Sequence, residues 1–377
     1  MEWVKLGDVA TYVNGYAFKP ADWLDEGKPI IRIQNLTNSN SRYNYTNLEI
    51  DPKYNVKKGD VLISWSATLD VFEWEKEDAY LNQHIFKVVF DKKDIDKDYF
   101  KYIVKNAIYS SVKLAHGSTM KHLTKTNFEN IKIPIYDSET EKRISKVLRL
   151  AENIISTRKT QIAALNELVQ SVFYEMFGKY RILGSNSSST KIKDIAEVIS
   201  GATPKTSVPE YWDGDILWVT PAEINEDGIY LYDTNRKITE AGVGSAALKV
   251  IPENSVLLSS RAPIGKVAIN KKKLYTNQGF KSIVPNGDYI MPIYLYFLLY
   301  FNTEYLNSLG NGATFKEISK KVVENISIPL PPLELQEQFA AKVEAIESQK
   351  AKLQASLEEM ETLFDALMQE AFSGNLG

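Results

Sequence analysis

The chain of 377 residues contains no cysteine, only three histidines, and no apolar run longer than Ile293–Phe301. Without cysteine there are no disulfides, no thiolate-held zinc or iron–sulfur cluster, and no thiol nucleophile. His116 and His122 lie six apart, which puts them on different sides of a helix, so metal ligation is not expected. Nine apolar residues fall far short of the ~20 needed to span a bilayer, and a buried helix is expected there. No basic-then-apolar leader opens the sequence. A soluble, cytoplasmic protein is expected. Positive charge is not in excess either: 45 Lys+Arg face 48 Asp+Glu, a net charge of −3. That balance argues against a simple basic nucleic-acid binder. Nucleotide motifs are missing. Gly265-Lys266-Val267 lacks the first glycine and the hydroxyl of a phosphate-binding loop, and Gly242-Val243-Gly244 lacks the third glycine of a dinucleotide fingerprint. No Asn/Asp-Pro-Pro-Tyr/Phe segment is present to hold the target nitrogen of an amino-methyltransferase. Nothing in the chain supports a catalytic role.

What is present is a globular composition, 44% hydrophobic and 25% charged, on a chain long enough for at least two domains. The chain repeats once. Lys5-Leu6-Gly7-Asp8-Val9-Ala10 returns as Lys191-Ile192-Lys193-Asp194-Ile195-Ala196, and Gly15 as Gly201. Asp60-Val61-Leu62-Ile63-Ser64 matches Ser255-Val256-Leu257-Leu258-Ser259, and Tyr80, Asn82 and Gln83 match Tyr275, Asn277 and Gln278. Gly117-Ser118-Thr119-Met120-Lys121 matches Gly312-Ala313-Thr314-Phe315-Lys316, and Asn130–Pro134 matches Asn325–Pro329. The spacing grows from 186 to 195, so the second copy carries nine extra residues, within about Ala222 to Leu248, read as a loop.

Each copy opens with a mixed α/β (α+β) part. Ile30–Ile33, Val61–Ile63 and Phe86–Phe90 read as strands, and Asp98 to about Ala115 as a helix. A long helix follows, after Pro134 in one copy and Pro331-Pro332 in the other, ending at Gly178 and Gly374. Its heptad seam reads Ile144, Leu148, Ala151, Ile155, Arg158, Ile162, Leu165, Val169, Val172 and Met176 in copy one. In copy two it reads Phe339, Val343, Ile346, Lys350, Leu353, Leu357, Met360, Phe364, Leu367 and Ala371. Five heptads without proline or glycine predict a coiled coil of roughly 60 Å. The predicted organisation is a domain at 1–137, a helix at 138–178, a linker at 179–190, a second domain at 191–332 and a second helix at 333–374. The heptads themselves allow parallel or antiparallel pairing. Antiparallel pairing with pseudo-two-fold symmetry suits one domain at either end of the rod; the other arrangement packs each helix on its own domain.

This layout and its motifs resemble the specificity subunits of type I restriction–modification systems over nearly the whole chain. Copy two is the closer match. Lys191–Pro204 opens it, followed by Ile216-Leu217-Trp218-Val219-Thr220, Val256–Gly265, Thr276–Phe280, Gly312-Ala313-Thr314 and Ile328–Gln336. Copy one departs at His84 for Gly279, Trp65 for Ser260, and Tyr136-Asp137 for Pro331-Pro332. The resemblance implies a non-catalytic subunit. Each domain reads one half of a bipartite target in double-stranded DNA. The helices set the spacer and dock two methyltransferase subunits. S-adenosylmethionine belongs to those partners and ATP to restriction subunits; none is expected on this chain. Other assignments are a similar subunit of another DNA-modification or phage-exclusion system, a DNA methyltransferase or nuclease, or a scaffold spacing two protein-binding modules.

If the two domains read different half-sites, residues shared by both copies serve the fold or the phosphates, and unlike residues are candidates for base readout. Among shared residues, Thr119, Lys121, Thr314 and Lys316 are phosphate candidates, against a plain turn with a solvated lysine. Asn82-Gln83 and Asn277-Gln278 fit a structural hydrogen-bond role better than base contact. Among unlike residues the candidates are Arg32, Gln34, Asn35, Ser66, His84, Trp218, Thr220, Arg261 and Lys281, with Arg261 first. Charge divides usefully. Residues 1–137 carry 19 basic and 19 acidic side chains, residues 179–332 carry 17 and 15, and residues 333–377 carry 3 and 9. Near-neutral domains neutralise few phosphates, so partner subunits are expected to supply much of the affinity.

Overall fold

A computed structural model describes the chain apart from residues 39, 67, 115–123, 185–188, 226–227, 262, 312–315 and 374–377, and the side chains of 111–114 and 179–180. The two heptad stretches are helices of 40 residues each, Ser138–Phe177 and Leu333–Phe372. They start by different devices at the same place in the repeat. In copy one, Asp137 accepts from the Thr140 amide at 2.9 Å and from its hydroxyl at 2.8 Å. Those bonds hold the Asp137 carboxyl below the usual carboxylate range. In copy two, the proline pair imposes the turn into the helix. Gly178, at φ 41°, ends the first helix in the left-handed conformation that glycine tolerates.

The chain divides into two compact units: Met1–Thr160 with Gln354–Gly377, and Gln161–Leu353. These borders lie inside the helices. Each unit takes one half of each helix, because its globular part packs on both. In the first unit, Ile144 and Leu148 share a core with Met368, Ala371 and Phe372, and Lys159 meets Glu361 at 2.7 Å. In the second, Phe173 and Phe177 share a core with Phe339 and Val343. The start of one helix thus lies beside the end of the other in each unit, which is antiparallel pairing. The seam is buried unevenly. Ile144, Leu148, Val169 and Val343 are buried, while Ile155, Ile162, Leu165, Ile346, Leu353, Leu357, Met360 and Phe364 are half-buried. A two-helix seam is covered on one side only; full burial requires the globular part as a lid.

In the first unit, Thr11–Asn14, Ile85–Val89, Val61–Ser64 and Asp70–Glu73 form an antiparallel sheet in that order. A second sheet orders Asn44–Thr46, Lys28–Ile31, Ala79–Leu81 and Asn55–Val56, its central pair parallel. The second unit repeats the plan. Its main sheet runs Ala196–Ser200, Phe280–Pro285, Val256–Ser260, Ile264–Asn270, Tyr230–Leu231, and its smaller one Arg236–Ile238, Trp212–Val219, Tyr275–Thr276. The apolar runs at 61–63 and 256–258 follow from this layering. Val61 and Ile63 face the helices while Leu62 faces the smaller sheet; Val256 and Leu258 do so opposite Leu257. Alternate residues of a strand point to opposite faces, and here both faces are buried.

Arg32, Ile33 and Phe90, expected in strands, lie outside them; Ile33 begins the short helix Ile33–Thr37. The extra residues of copy two do not form a free loop. They belong to a stretch holding Tyr230–Leu231, Arg236–Ile238 and the short helix Glu240–Ser245. The expected linker is anchored too: Leu183 is buried in the core, and the Gly184 amide donates to Ser327 at 3.1 Å. The apolar run forms the helix Pro292–Tyr300 with Ile293 to Leu299 buried. Among the described residues no helix is long and apolar enough to cross a membrane.

The duplication extends to single hydrogen bonds. The Tyr99 hydroxyl donates to Pro134 at 2.8 Å and the Tyr294 hydroxyl to Pro329 at 3.0 Å. The Asp96 amide donates to Glu141 at 2.9 Å, and the Met291 amide to Gln336 at 2.9 Å. Gln336 also donates to Pro331 at 2.9 Å, whereas Glu141 leaves one carboxylate oxygen buried without a partner. Burial raises the Glu141 pKa. Glu141→Gln is therefore expected to stabilise the first unit at neutral pH by about 1 kcal/mol, its amide donating where Gln336 does. The folded state holds the Glu141 proton more tightly than the unfolded chain. Wild-type stability from this group thus rises as pH falls through the raised pKa, and the advantage of the glutamine shrinks. Thermal melts of both proteins from neutral to acidic pH check this; a gap that widens on acidification contradicts it.

Candidate nucleic-acid interface

Three of the repeated motifs, those of Gly15, Ser64 and Asn82 with their counterparts Gly201, Ser259 and Asn277, meet at one corner of each unit. Gly15 and Gly201 sit against the carbonyls of Asn82 and Asn277; a Cβ at either would lie 1.9 or 2.0 Å from that oxygen. The Asn82 amide donates to Ile31 at 3.2 Å, and the Asn277 amide to Val219 at 3.1 Å. The chain then turns, and again the copies agree. The Arg32 amide donates to the Asn35 side chain at 3.0 Å, and the Thr220 amide to Glu223 at 3.0 Å. A neighbouring hairpin turn is closed by the shared serine: Ser64 donates to the Thr68 carbonyl, and Ser259 to Pro263 at 2.7 Å. The Trp65 amide donates to His84 at 3.2 Å, and the Ser260 amide to Gly279 at 2.7 Å. Equivalent hydrogen bonds, some made by shared residues and some by unlike ones, hold one backbone frame. The side chains mounted on it differ: Arg32 or Thr220, Trp65-Ser66 or Ser260-Arg261, His84 or Gly279.

In the first unit Arg32 is half-buried. Its guanidinium donates to Asn44 at 2.7 Å and to exposed Gln34 at 2.6 Å, and lies over the Trp23 ring at 5.2 Å. Asn35 is 4% exposed and spends its amide on the Ser41 and Arg42 carbonyls, so it builds the turn and has nothing left for a base. Ser66 is buried as well. His84 is half-buried at φ 74°, a conformation glycine adopts more readily. Its ring meets Trp65 edge-on at 4.8 Å, and Trp65 stacks on Phe86. Trp65 was not among the residues expected to read bases.

In the second unit Trp218 is 2% exposed, its indole N–H donating to Ala202 at 3.1 Å; it is core, with no face left for DNA. Thr220 donates its hydroxyl to Glu223 at 3.1 Å as part of the turn. Lys281 is buried, its ammonium 3.2 Å from both Glu317 and Ser260, so its charge is matched inside the fold. Arg261 is half-exposed and bridges the backbone of Glu317, beside exposed Lys316. Arg261 and Lys316 are thereby brought to one edge. Gly117, Thr119, Lys121, Gly312 and Thr314 lie outside the described residues. Asn277 and Gln278 take local partners, Gly279 and Thr203, in keeping with a structural role. Sequence reasoning missed Arg236, which is exposed and lies 3.9 Å over the Trp212 ring. A second shared motif, Pro20-x-x-Trp23 and Pro209-x-x-Trp212, was the available signal.

The family model described as the type I restriction modification DNA specificity domain matches residues 1–167 and again 185–361. The chain belongs to this family and carries two copies of its domain. It is 45% identical over 153 residues to the specificity subunit of the type I restriction enzyme MjaIX of Methanocaldococcus jannaschii, covering 40% of this chain and 35% of that protein. It is 21% identical over 408 residues to the EcoBI specificity subunit of Escherichia coli, covering 99% of this chain and 85% of that one. A solved structure from work on complex assembly and conformational transition of the type I R-M system shares the fold. Its TM-score is 0.63 at 19% identity, over 100% of this chain and 98% of that one.

Proposed function

We propose that this chain chooses the DNA sequence for a type I restriction–modification complex, each unit reading one half of a bipartite target. The observation that carries the reading is the duplicated corner: one hydrogen-bonded frame, built twice, bearing different side chains. A frame of that kind presents two unlike sets of readers to two unlike half-sites. The paired helices set the spacer and dock two methyltransferase subunits. Val147, Leu150 and Ile154, 46–53% exposed, support this; they form an apolar stripe on the first helix away from its seam. Restriction subunits join the same complex. S-adenosylmethionine and ATP are held by those partners, adenine methylation is their chemistry, and the assembly works in the cytoplasm. The chain itself is non-catalytic.

Co-expression with a methyltransferase subunit, followed by mapping of methylated adenines, tests the reading. A bipartite motif with a fixed spacer is expected; a continuous motif, or methylation without sequence preference, rejects it. Arg261→Ala is expected to relax one base position of one half-site, costing about 1–3 kcal/mol there. A uniform loss over all sites would place Arg261 on a phosphate instead.

A further inference from the structure

Both units mount an arginine over the corresponding tryptophan, but from different segments. In the first, Arg32 follows the strand Lys28–Ile31, reaches over Trp23, and donates to Asn44 of the adjacent strand. In the second, the equivalent strand Trp212–Val219 is followed by Thr220, which has no charge. There the arginine comes from the neighbouring strand. Arg236 pairs with Trp218 as Asn44 lies beside Ile30, two positions that correspond in the repeat. One place above the shared tryptophan is therefore filled twice, by residues that no alignment of the copies brings together.

The second site is rigidly built. Trp212 and Trp218 are six residues apart in one strand, which would separate them by about 20 Å if it ran straight. A bulge, with Asp213 at φ 60°, lets both Trp212 and Ile216 pair with Ile238 and brings the rings to 5.0 Å, edge to face. Their indole N–H groups are tied to Lys205 at 3.2 Å and Ala202 at 3.1 Å. Arg236 lies 3.9 Å from one ring centre and 5.3 Å from the other. It makes no ion pair among the described residues, and it is exposed. Stacking on an indole fixes the guanidinium plane and leaves its N–H edge available.

We propose that Arg236 is a further specificity-determining arginine of the second unit, in addition to Arg261, and takes a guanine edge through its two parallel N–H donors. This rests on the reading of the chain as a DNA-specificity subunit. Guanine offers two acceptors side by side in the major groove, which a guanidinium fork matches and an ammonium does not.

The test uses the full chain co-expressed with its methyltransferase subunit, mapping methylated sites for wild type, Arg236→Ala, Arg236→Lys and Arg32→Ala. Arg236→Ala is expected to relax one G·C position in one half-site, raising methylation of sites altered there about tenfold or more relative to wild type. Arg236→Lys is expected to relax the same position, since charge without the planar fork does not suffice, and it carries the decision alone if the alanine variant fails to accumulate. Arg32→Ala is expected to relax the opposite half. An unchanged motif, a uniform decline at all sites, or relaxation of the same half by Arg32→Ala and Arg236→Ala overturns the proposal. A wild-type map without a bipartite motif rejects the underlying function instead, so the two failures are told apart.

Discussion

Replacing Phe339 with alanine is expected to destabilise the second unit by about 3–5 kcal/mol, the largest effect of any single side chain considered. Phe339 is fully buried at the start of the second long helix. Its ring meets Phe177 at 5.1 Å, Phe173 at 5.5 Å and Phe297 at 5.5 Å, all near-perpendicular. Two of these rings belong to the end of the first long helix and one to the helix Pro292–Tyr300. Truncation leaves a cavity where three elements meet, and rings held by one another cannot close it. Calorimetry of the full chain is expected to show the transition of the second unit lowered on the order of 10 °C. Leu353→Ala, at a half-buried seam position, is expected to cost only about 1 kcal/mol. Equal shifts for the two variants would mean that stability is spread evenly along the helices, contrary to the uneven burial.

The second large effect is expected at Gly15 and Gly201. Alanine at either puts a methyl group within 1.9 or 2.0 Å of a backbone carbonyl. Neither a rotamer change nor a side-chain shift relieves that contact; the Asn82 or Asn277 segment must move. Those segments donate to Ile31 and Val219, so movement breaks the corner that carries the unlike residues. A loss of roughly 3 kcal/mol or more is expected, confined to the unit that carries the change. Gly244→Ala is the control: nothing lies within 4 Å of its added Cβ, and a neutral or slightly stabilising effect is expected. A melting temperature unchanged by Gly15→Ala or Gly201→Ala would show that the corner yields and that the duplicated glycine is not a steric requirement.

Much of the fold was legible because its signals are local. Heptads without proline or glycine specify long helices, and apolar runs at matching positions specify the central strands of both copies. The recurrence of Gly15, Asn82 and Ser64 at Gly201, Asn277 and Ser259 marked the frame, although not what each residue touches. The base-reading candidates fared unevenly for a physical reason. In a strand or tight turn, neighbouring residues point in opposite directions, and composition does not say which way is out. Trp218 and Lys281 look like recognition residues by type, yet they are buried, held by Ala202 and by Glu317. Asn35 looks like an adenine reader and instead does the work of Glu223 in the other copy. The two residues share no chemistry beyond a side-chain oxygen, so the repeat conceals their equivalence.

The sequence by itself determined that the chain is a duplication, that each copy ends in a long amphipathic helix, and that it lacks the motifs of a nucleotide-dependent enzyme. All of these are properties of spacing and residue type along the chain. Only the tertiary structure decided that the helices pair antiparallel, that the compact units divide inside them, and that Arg236 stands where Arg32 stands in the other copy. Each of those depends on contacts between residues far apart in sequence, such as Phe177 with Phe339 and Trp212 with Arg236. Heptads record which face is apolar but not what covers it, and a tryptophan records nothing of the arginine that will lie over it.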